Sequence, residues 1–370
     1  MPFAELQPTH RDRVLILAPH PDDESLGCAT LISRTLEAGG TVRVLLATNG
    51  DNNPWPQRFV ERRWQVGPEE RKRWGERRKQ EATAALHVLG LPDDAVHFME
   101  FPDQGFTGAL LRSDARVLDA FIGAIRDWRP TLLVVPSPND IHPDHNAIAL
   151  LFELALRRLP ESLRPRVIHF PIHPHDRYTT DADLVLHLTP EEIARKRRAI
   201  LCHGTQMALS QKRFLGYAKP EESYLSAAWD RARDRHHPVR EAAFENGALR
   251  LVLNVGWRFD APRVLLVAEN VLDENACWEV RLRQQAGALR ITECITGRPL
   301  KKATLRRTDE GVELRIPMAP LQPVDHLFVK VDRRLAFYDR AGWVRVPVGV
   351  PTAMPAVESG EPGLPSRAPW

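Results

Sequence analysis

Two short stretches carry the residue types best suited to chemistry: Pro19-His20-Pro21-Asp22-Asp23-Glu24 and Asn139-Asp140-Ile141-His142-Pro143-Asp144-His145. Imidazoles and carboxylates at such spacing serve as metal ligands and proton carriers. In the first stretch, His20 and Asp23 suit one divalent metal, while Asp22 points elsewhere and stays free as a base. In the second, His145 would complete a His2Asp set. Three protein ligands leave positions open for water, as in catalytic zinc sites; structural zinc is usually closed by four. A plainer explanation exists for the acids, because the dipole and free N–H groups of a helix N-terminus favour carboxylates. It does not explain a His bracketed by two prolines. His173-Pro174-His175-Asp176 is a further cluster able to bind metal, on a stretch with no regular pattern, and His236-His237 is another.

Both motifs sit where a strand gives way to a helix. The apolar run Val14-Leu15-Ile16-Leu17 precedes the first, and Leu132-Leu133-Val134-Val135 precedes the second. In open α/β sheets, ligands bind outside the carboxyl ends of the strands. The pattern predicts strands at 13–18, 42–47, 96–99, 132–135, 167–170 and 184–186. It predicts helices at 25–37, 68–89, 114–128, 146–158 and 190–201. Strands alternating with helices imply a mostly parallel, Rossmann-like sheet covered on both faces. Asn52 to Pro68, with two prolines and two tryptophans before its final proline, reads as a long loop over the strand ends.

Beyond Arg231 the period changes from helical to alternating. Runs such as Leu249–Leu253, Val264–Val267, Trp278–Leu282, Val312–Ile316 and Leu327–Val331 predict a small antiparallel, sandwich-like all-β domain. The expected organisation is therefore a catalytic domain over 1–230 and a β domain over 231–350, with Asp230 to Arg240 as linker. A disordered Pro-rich tail is expected over 351–370.

Composition narrows the classes. The chain has 370 residues, 43% of them hydrophobic, and a net charge of +3 with the signs interspersed, so no nucleic-acid partner is expected. The basic stretch Arg71 to Lys79 reads as a solvated helix face. Four scattered cysteines, none in a CxxC pair, suit a reducing compartment. No apolar run is long enough for an integral membrane segment and no signal core is evident, so a soluble, cytoplasmic protein is expected. No GxGxxG follows the first strand, which disfavours a nicotinamide dehydrogenase.

The HPDDE stretch after the first strand, with HPDH at His142 to His145, resembles the signatures of the PIG-L/LmbE-like zinc-dependent deacetylases. That family includes the GlcNAc-phosphatidylinositol de-N-acetylases and the deacetylases of mycothiol and bacillithiol biosynthesis. Arg77-Arg78-Lys79-Gln80-Glu81 resembles its Arg–Glu helix. Lys196, Ala199, His203 and Gln206 resemble a later helix, with Thr205 where Ser is usual. The resemblance covers roughly 10–220. It implies zinc on His20, Asp23 and His145, with Asp22 as the general base. It further implies His142, held by Asp144, as the charged donor to the oxyanion, and Arg78 or Arg77 together with Asp103 as substrate contacts. Asp140 and Ile141 stand where thiol-pathway relatives carry a Tyr. The expected activity is hydrolysis of the acetamide of an N-acetylated amino sugar or conjugate, a small molecule, with Zn2+ as cofactor; Fe2+ would accept the same ligands. Two alternatives stand beside it: an amidase removing a longer acyl group, with the Trp-containing loop as an apolar acyl site, and a carbohydrate-binding or assembly protein using Trp257, Trp278 and Trp343.

Overall fold

A computed structural model describes residues 4–173, 182–230, 236–255, 262–269, 275–309, 311–318, 324–333 and 337–348. The first half alternates strands and helices: β1 (Ala4–Glu5), β2 (Arg13–Ala18), α1 (Asp23–Gly27), α2 (Ala29–Glu37), β3 (Thr41–Thr48), α3 (Pro54–Glu61), α4 (Pro68–Val88), β4 (Val96–Phe101), α5 (Phe106–Leu111), α6 (Ala115–Trp128), β5 (Leu132–Pro136), α7 (Pro143–Arg157) and β6 (Arg166–Phe170). β7 (Leu184–His187), α8 (Pro190–Leu201), α9 (Gly204–Leu215) and β8 (Glu221–Tyr224) follow.

Five strands form one parallel sheet in the order β4-β3-β2-β5-β6. Successive residues of β2 are fully buried on alternate faces. Val14 and Ile16 pack with Leu31, Ala85, Leu86 and Ile200, whereas Leu15 and Leu17 pack with Phe121, Ile125, Ile148 and Leu151. An uninterrupted apolar run is what a strand covered on both faces requires. From β2 the chain first builds outward through β3 and β4, then returns to add β5 and β6 on the other side. The carboxyl ends of β2 and β5 are thus neighbours at the point where strand order reverses, and a crevice opens there.

The second half is one antiparallel sheet of nine strands: β9 (Val239–Glu245), β10 (Ala248–Leu253), β11 (Arg263–Glu269), β12 (Asn275–Arg281), β13 (Gly287–Glu293), β14 (Pro299–Thr308), β15 (Gly311–Pro317), β16 (His326–Asp332) and β17 (Val344–Val346). It curls until β16 and β17 approach β9, so the sheet nearly closes on its own core. Period two then divides its residues. Val264, Leu266, Leu327 and Val329 point into that core. Leu265, Val267 and Phe328 join the core on the α6–α7 side of the parallel sheet, as do Cys277 and Trp343. The two sheets therefore share packed apolar surface. Trp278 and Trp343 are buried, and Trp257 lies outside the described residues.

Three local expectations need correction. The segment 52–68 is not a plain loop, because Pro54–Glu61 is helical. Asn53 caps it and Pro54 takes the first position, where a missing N–H costs nothing. The helix expected over 25–37 is broken at Cys28, which has non-helical φ −133°. The expected linker ends earlier than predicted, since Val239 and Arg240 already belong to β9. The Pro-rich tail lies outside the described residues. Among the described residues, no helix is long and apolar enough to cross a membrane.

Candidate metal centre and active site

The β2–α1 turn places its side chains by strain. Asp22 has φ 151°, a region that non-glycine residues rarely occupy and that clusters at functional sites. It precedes α1, yet its carboxylate makes no capping bond. Its Oδ2 instead meets Nη2 of Arg78 at 3.1 Å. The plainer explanation, an N-cap, thus fails for Asp22. Asp23 turns back and its Oδ2 accepts the N–H of His20 at 2.9 Å. On the β5–α7 side, His142 is the N-cap of α7 and Pro143 holds the first helical position, which aims the first turn, with Asp144 and His145, into the crevice.

Three donor atoms converge. Oδ2 of Asp23 lies 3.2 Å from Nδ1 of His20 and 3.2 Å from Nε2 of His145, and those two nitrogens are 3.3 Å apart. Ligand bonds of 2.0–2.1 Å in a tetrahedron put donors about 3.3 Å apart, so the triangle has the size zinc requires. The opposite nitrogen of each imidazole faces a carboxylate. Nδ1 of His145 is 3.0 Å from Oδ2 of Asp140, while Nε2 of His20 is 3.2 Å from Asp103 and 3.4 Å from Asp144. For His145 this hydrogen bond fixes the tautomer that leaves Nε2 free for a metal, whereas Nε2 of His20 lies near its two carboxylates without a hydrogen bond to either. Looser sets, His20–His142–His145 and His20–Asp103–Asp144, also bring donor atoms within 4.8 Å.

Electrostatics favours a cation here. Asp22, Asp23, Asp103, Asp140 and Asp144 are all buried around this point. Burying charge is costly unless it is paired. Burial opposes protonation of His145, but Asp23 and Asp140 outweigh it and push the ring up to about 10. His20 is raised in the same way, against burial, by Asp103, Asp144 and Asp23. Protons thus collect where a divalent ion would balance the same carboxylates.

Asp22 differs from its neighbours. Burial pushes it up to about 6, partly offset by the Arg78 guanidinium. His142 is pushed well below its ordinary value by burial and by the positive charge of His20 and His145. Its Nδ1 accepts the backbone N–H of Asp144 at 3.3 Å, so a neutral ring carries its proton on Nε2. This changes the expected arrangement. The Asp144 carboxylate does not hold His142; it accepts the N–H groups of Gln104 and Phe106 at 2.7 and 3.2 Å.

Residues 15–156 match the model of the PIG-L family, described as GlcNAc-PI de-N-acetylase. The chain is 32% identical over 209 residues to the probable N-acetyl-alpha-D-glucosaminyl L-malate deacetylase 2 of Bacillus subtilis (strain 168), covering 53% of this chain and 84% of that protein. This chain belongs to the PIG-L deacetylase family. It is also 32% identical over 150 residues to the 1D-myo-inositol 2-acetamido-2-deoxy-alpha-D-glucopyranoside deacetylase of Mycobacterium avium (strain 104). That match covers 36% of this chain and 47% of the relative, so the chain spans about half the mycobacterial protein's length. Among solved structures, it is similar to the N,N'-diacetylchitobiose deacetylase from Pyrococcus horikoshii, with a TM-score of 0.45, 17% identity, and 58% of this chain and 82% of that chain covered.

The PIG-L match encloses the donor triangle His20, Asp23 and His145 together with Asp22, His142 and Asp144. Of the arginine pair, Arg78 is the buried one. It donates to the carbonyls of Gly50 and Pro21 at 2.7 and 2.8 Å as well as to Asp22, whereas Arg77 lies outside beside Glu81. Asp103 faces His20 and accepts the N–H of Asn52 at 2.7 Å. The later helix is interrupted at Cys202-His203 between α8 and α9, and it braces the site. Nε2 of His203 is 3.0 Å from Ser25 Oγ, Lys196 pairs with Glu222 at 2.8 Å, and Thr205 Oγ1 donates to Glu81 at 2.5 Å, so Thr serves where Ser is usual.

Four residues at the site had escaped sequence reasoning in these roles. Asp140 orients His145 and accepts the N–H groups of Ile172 and His173 at 3.2 and 3.0 Å. Its signal was its place five residues before His145. His173 had been grouped with His175 and Asp176, which lie outside the described residues. Its ring is centred 5.3 Å from that of His145, and burial pushes it down to about 4. Phe337 and Tyr338 arrive from the C-terminal sheet, with ring centroids 5.4 and 5.8 Å from His142. No local pattern announces them.

Proposed function

We propose that this chain is a zinc-dependent N-deacetylase that hydrolyses the acetamide of an N-acetylated amino sugar conjugate. The observation that carries this is the 3.2–3.3 Å triangle of His20, Asp23 and His145 with the Asp22 carboxylate beside it. His20, Asp23 and His145 would hold the metal; Zn2+ would polarise the acetamide carbonyl and make water reactive near neutral pH, and Fe2+ would accept the same ligands.

The protein's own groups do the rest. Asp22 takes the proton of the attacking water, and its burial, which raises its affinity for a proton, suits it to that role. Arg78 keeps that carboxylate aimed at the site. His142 offers Nε2–H to the carbonyl oxygen as negative charge develops there. The amine departs only when protonated, and Asp22 returns the proton it has taken. Asp140 keeps His145 oriented, Asp103 places negative charge beside His20, and Asp144 fixes the 104–106 turn against the site.

The relatives' names, deacetylases of N-acetylglucosaminyl malate and of an inositol glycoside, support an aminosugar conjugate as substrate. The test is acetate release from a panel of N-acetylglucosaminides by zinc-loaded and chelator-stripped protein. Release from at least one compound, lost on stripping and restored by zinc, is expected. Release that survives stripping would refute the metal-dependent reading.

A further inference from the structure

The crevice extends outward from the catalytic residues as a cavity of about 360 Å³, a volume in the range of small-molecule sites. Its inner end is polar, with His20, Asp22, Asp23 and His142. Its lining also includes Trp55 and Pro56 of α3, Phe214 of α9, and Phe337 and Tyr338 from the segment between β16 and β17. Trp55 is 61% exposed and Phe337 is 45% exposed. Large apolar rings left open at a cavity rimmed by polar groups mark a binding surface.

The segment bearing Phe337 is anchored. The N–H of Asp339 donates to the carbonyl of Ile141 at 2.8 Å, and that of Trp343 to the carbonyl of Pro138 at 3.0 Å. The Asp339 carboxylate meets Nζ of buried Lys330 at 2.5 Å and accepts from Asn146 Nδ2 at 2.9 Å. Gly342 passes so close to Pro138 that a Cβ there would fall 1.6 Å from the carbonyl oxygen. Apart from Lys330 of β16, each of these partners belongs to the loop or helix that carries His142 and His145. Tyr338 is packed in turn on His173, with ring centroids 5.5 Å apart. Phe337 remains as the open ring, held in place before any ligand arrives.

Of the two arginines lining the cavity, Arg78 is turned inward to Asp22 and two carbonyls, and Arg213 reaches Nδ1 of His173 at 3.0 Å. The exposed apolar surface of the wall is supplied by the rings of Trp55 and Phe337.

We propose that Phe337, together with Trp55, is a specificity-determining wall of the active site, and that the amino sugar it admits carries an apolar, aryl or alkyl, aglycone. This rests on the aminosugar reading for the sugar end only. Burying the exposed part of one ring against an aglycone corresponds to about a tenfold gain in affinity.

The test is calorimetric binding of three glucosaminides that have no acetyl group to lose, with the zinc-loaded full chain: phenyl glucosaminide, methyl glucosaminide and chitobiose. Phenyl glucosaminide is expected to bind about tenfold tighter than the methyl compound. In Phe337→Ala that ratio is expected to fall to about threefold or less, and in Phe337→Leu to lie between. Melting temperatures show whether the variants fold, and the wild-type ratio stands without them. Equal affinities, no binding by phenyl glucosaminide, a ratio unchanged by Phe337→Ala, or chitobiose tighter than phenyl glucosaminide would each overturn the proposal. Acetate release from methyl N-acetylglucosaminide is measured alongside. Its absence with the binding ratio intact would count against the deacetylase reading and not against the wall.

Discussion

The carboxyl end of the parallel sheet and the contact between the two sheets both bury charge, but they do so differently. In the C-terminal sheet and its contact with the first, Lys330 and Arg263 sit beside opposite charges. Lys330 meets Asp339 and Asn146, and half-buried Arg263 joins Glu279 at 2.8 Å and Asp332 at 2.6 Å. At the β2 and β5 ends, five aspartates crowd three histidines, and Arg78 balances one of them. In the structural networks each carboxylate has a cation beside it, whereas the cluster at the strand ends is left short of the charge its ligand brings.

That contrast can be broken at several points, and the largest effect belongs to the unbalanced cluster. His145→Ala removes one corner of the donor triangle. We expect loss of bound zinc by elemental analysis and a fall in acetate release on the order of 10³. Full metal content in this variant would show that the triangle is not the site. Lys330→Met tests the balanced side, where it strands Asp339 in a buried setting. A loss of about 3–5 kcal/mol in urea unfolding is expected, largely recovered when Asp339→Leu is added. If the double variant is as unstable as the single one, the pair is not the unit of that contact.

Asp140→Asn sharpens the comparison, because this carboxylate touches the ligand and not the metal position. Zinc affinity or turnover should fall about 10–100-fold, with the fold retained by circular dichroism. The smallest effect is at His203, whose value is raised, against burial, by Glu24 and Asp22. A raised value means that its stabilising contribution is complete below the ordinary 6.5 and is lost as pH climbs through the folded-state value. Wild-type urea midpoints should therefore decline relative to His203→Gln as pH rises from 6.5 to the folded-state value, and parallel curves would remove His203 from the account.

What the sequence made legible follows from where the information sits. β2, β5 and α8 were readable because their apolar periods and caps are local, as were the two His-Pro-Asp motifs at the strand ends. The helix Pro54–Glu61 is hard to read because it is short and holds two prolines, although one of them starts the helix. α9 was hidden by its kink at Ser210. β14 is hidden because only Ala303 and Leu305 of its ten residues are fully buried, and the lysines and arginines among the rest mask the alternation. In the site, residue types identified donors, but pairing depends on three dimensions. Nothing in the order of residues says that Asp144 serves the 104–106 turn and not the ring of His142, or that Phe337 returns nearly two hundred positions later to stand beside it.

The central claim is that Asp22 is the proton carrier of a metal centre it does not itself ligate. The most direct test measures zinc content and acetate release on the same preparations of wild type and Asp22→Asn, using the N-acetylglucosaminide the wild type hydrolyses best. We predict one zinc per chain in both and turnover reduced about 10²–10⁴-fold in the variant. Undiminished turnover, or zinc lost along with activity, would contradict that division of labour.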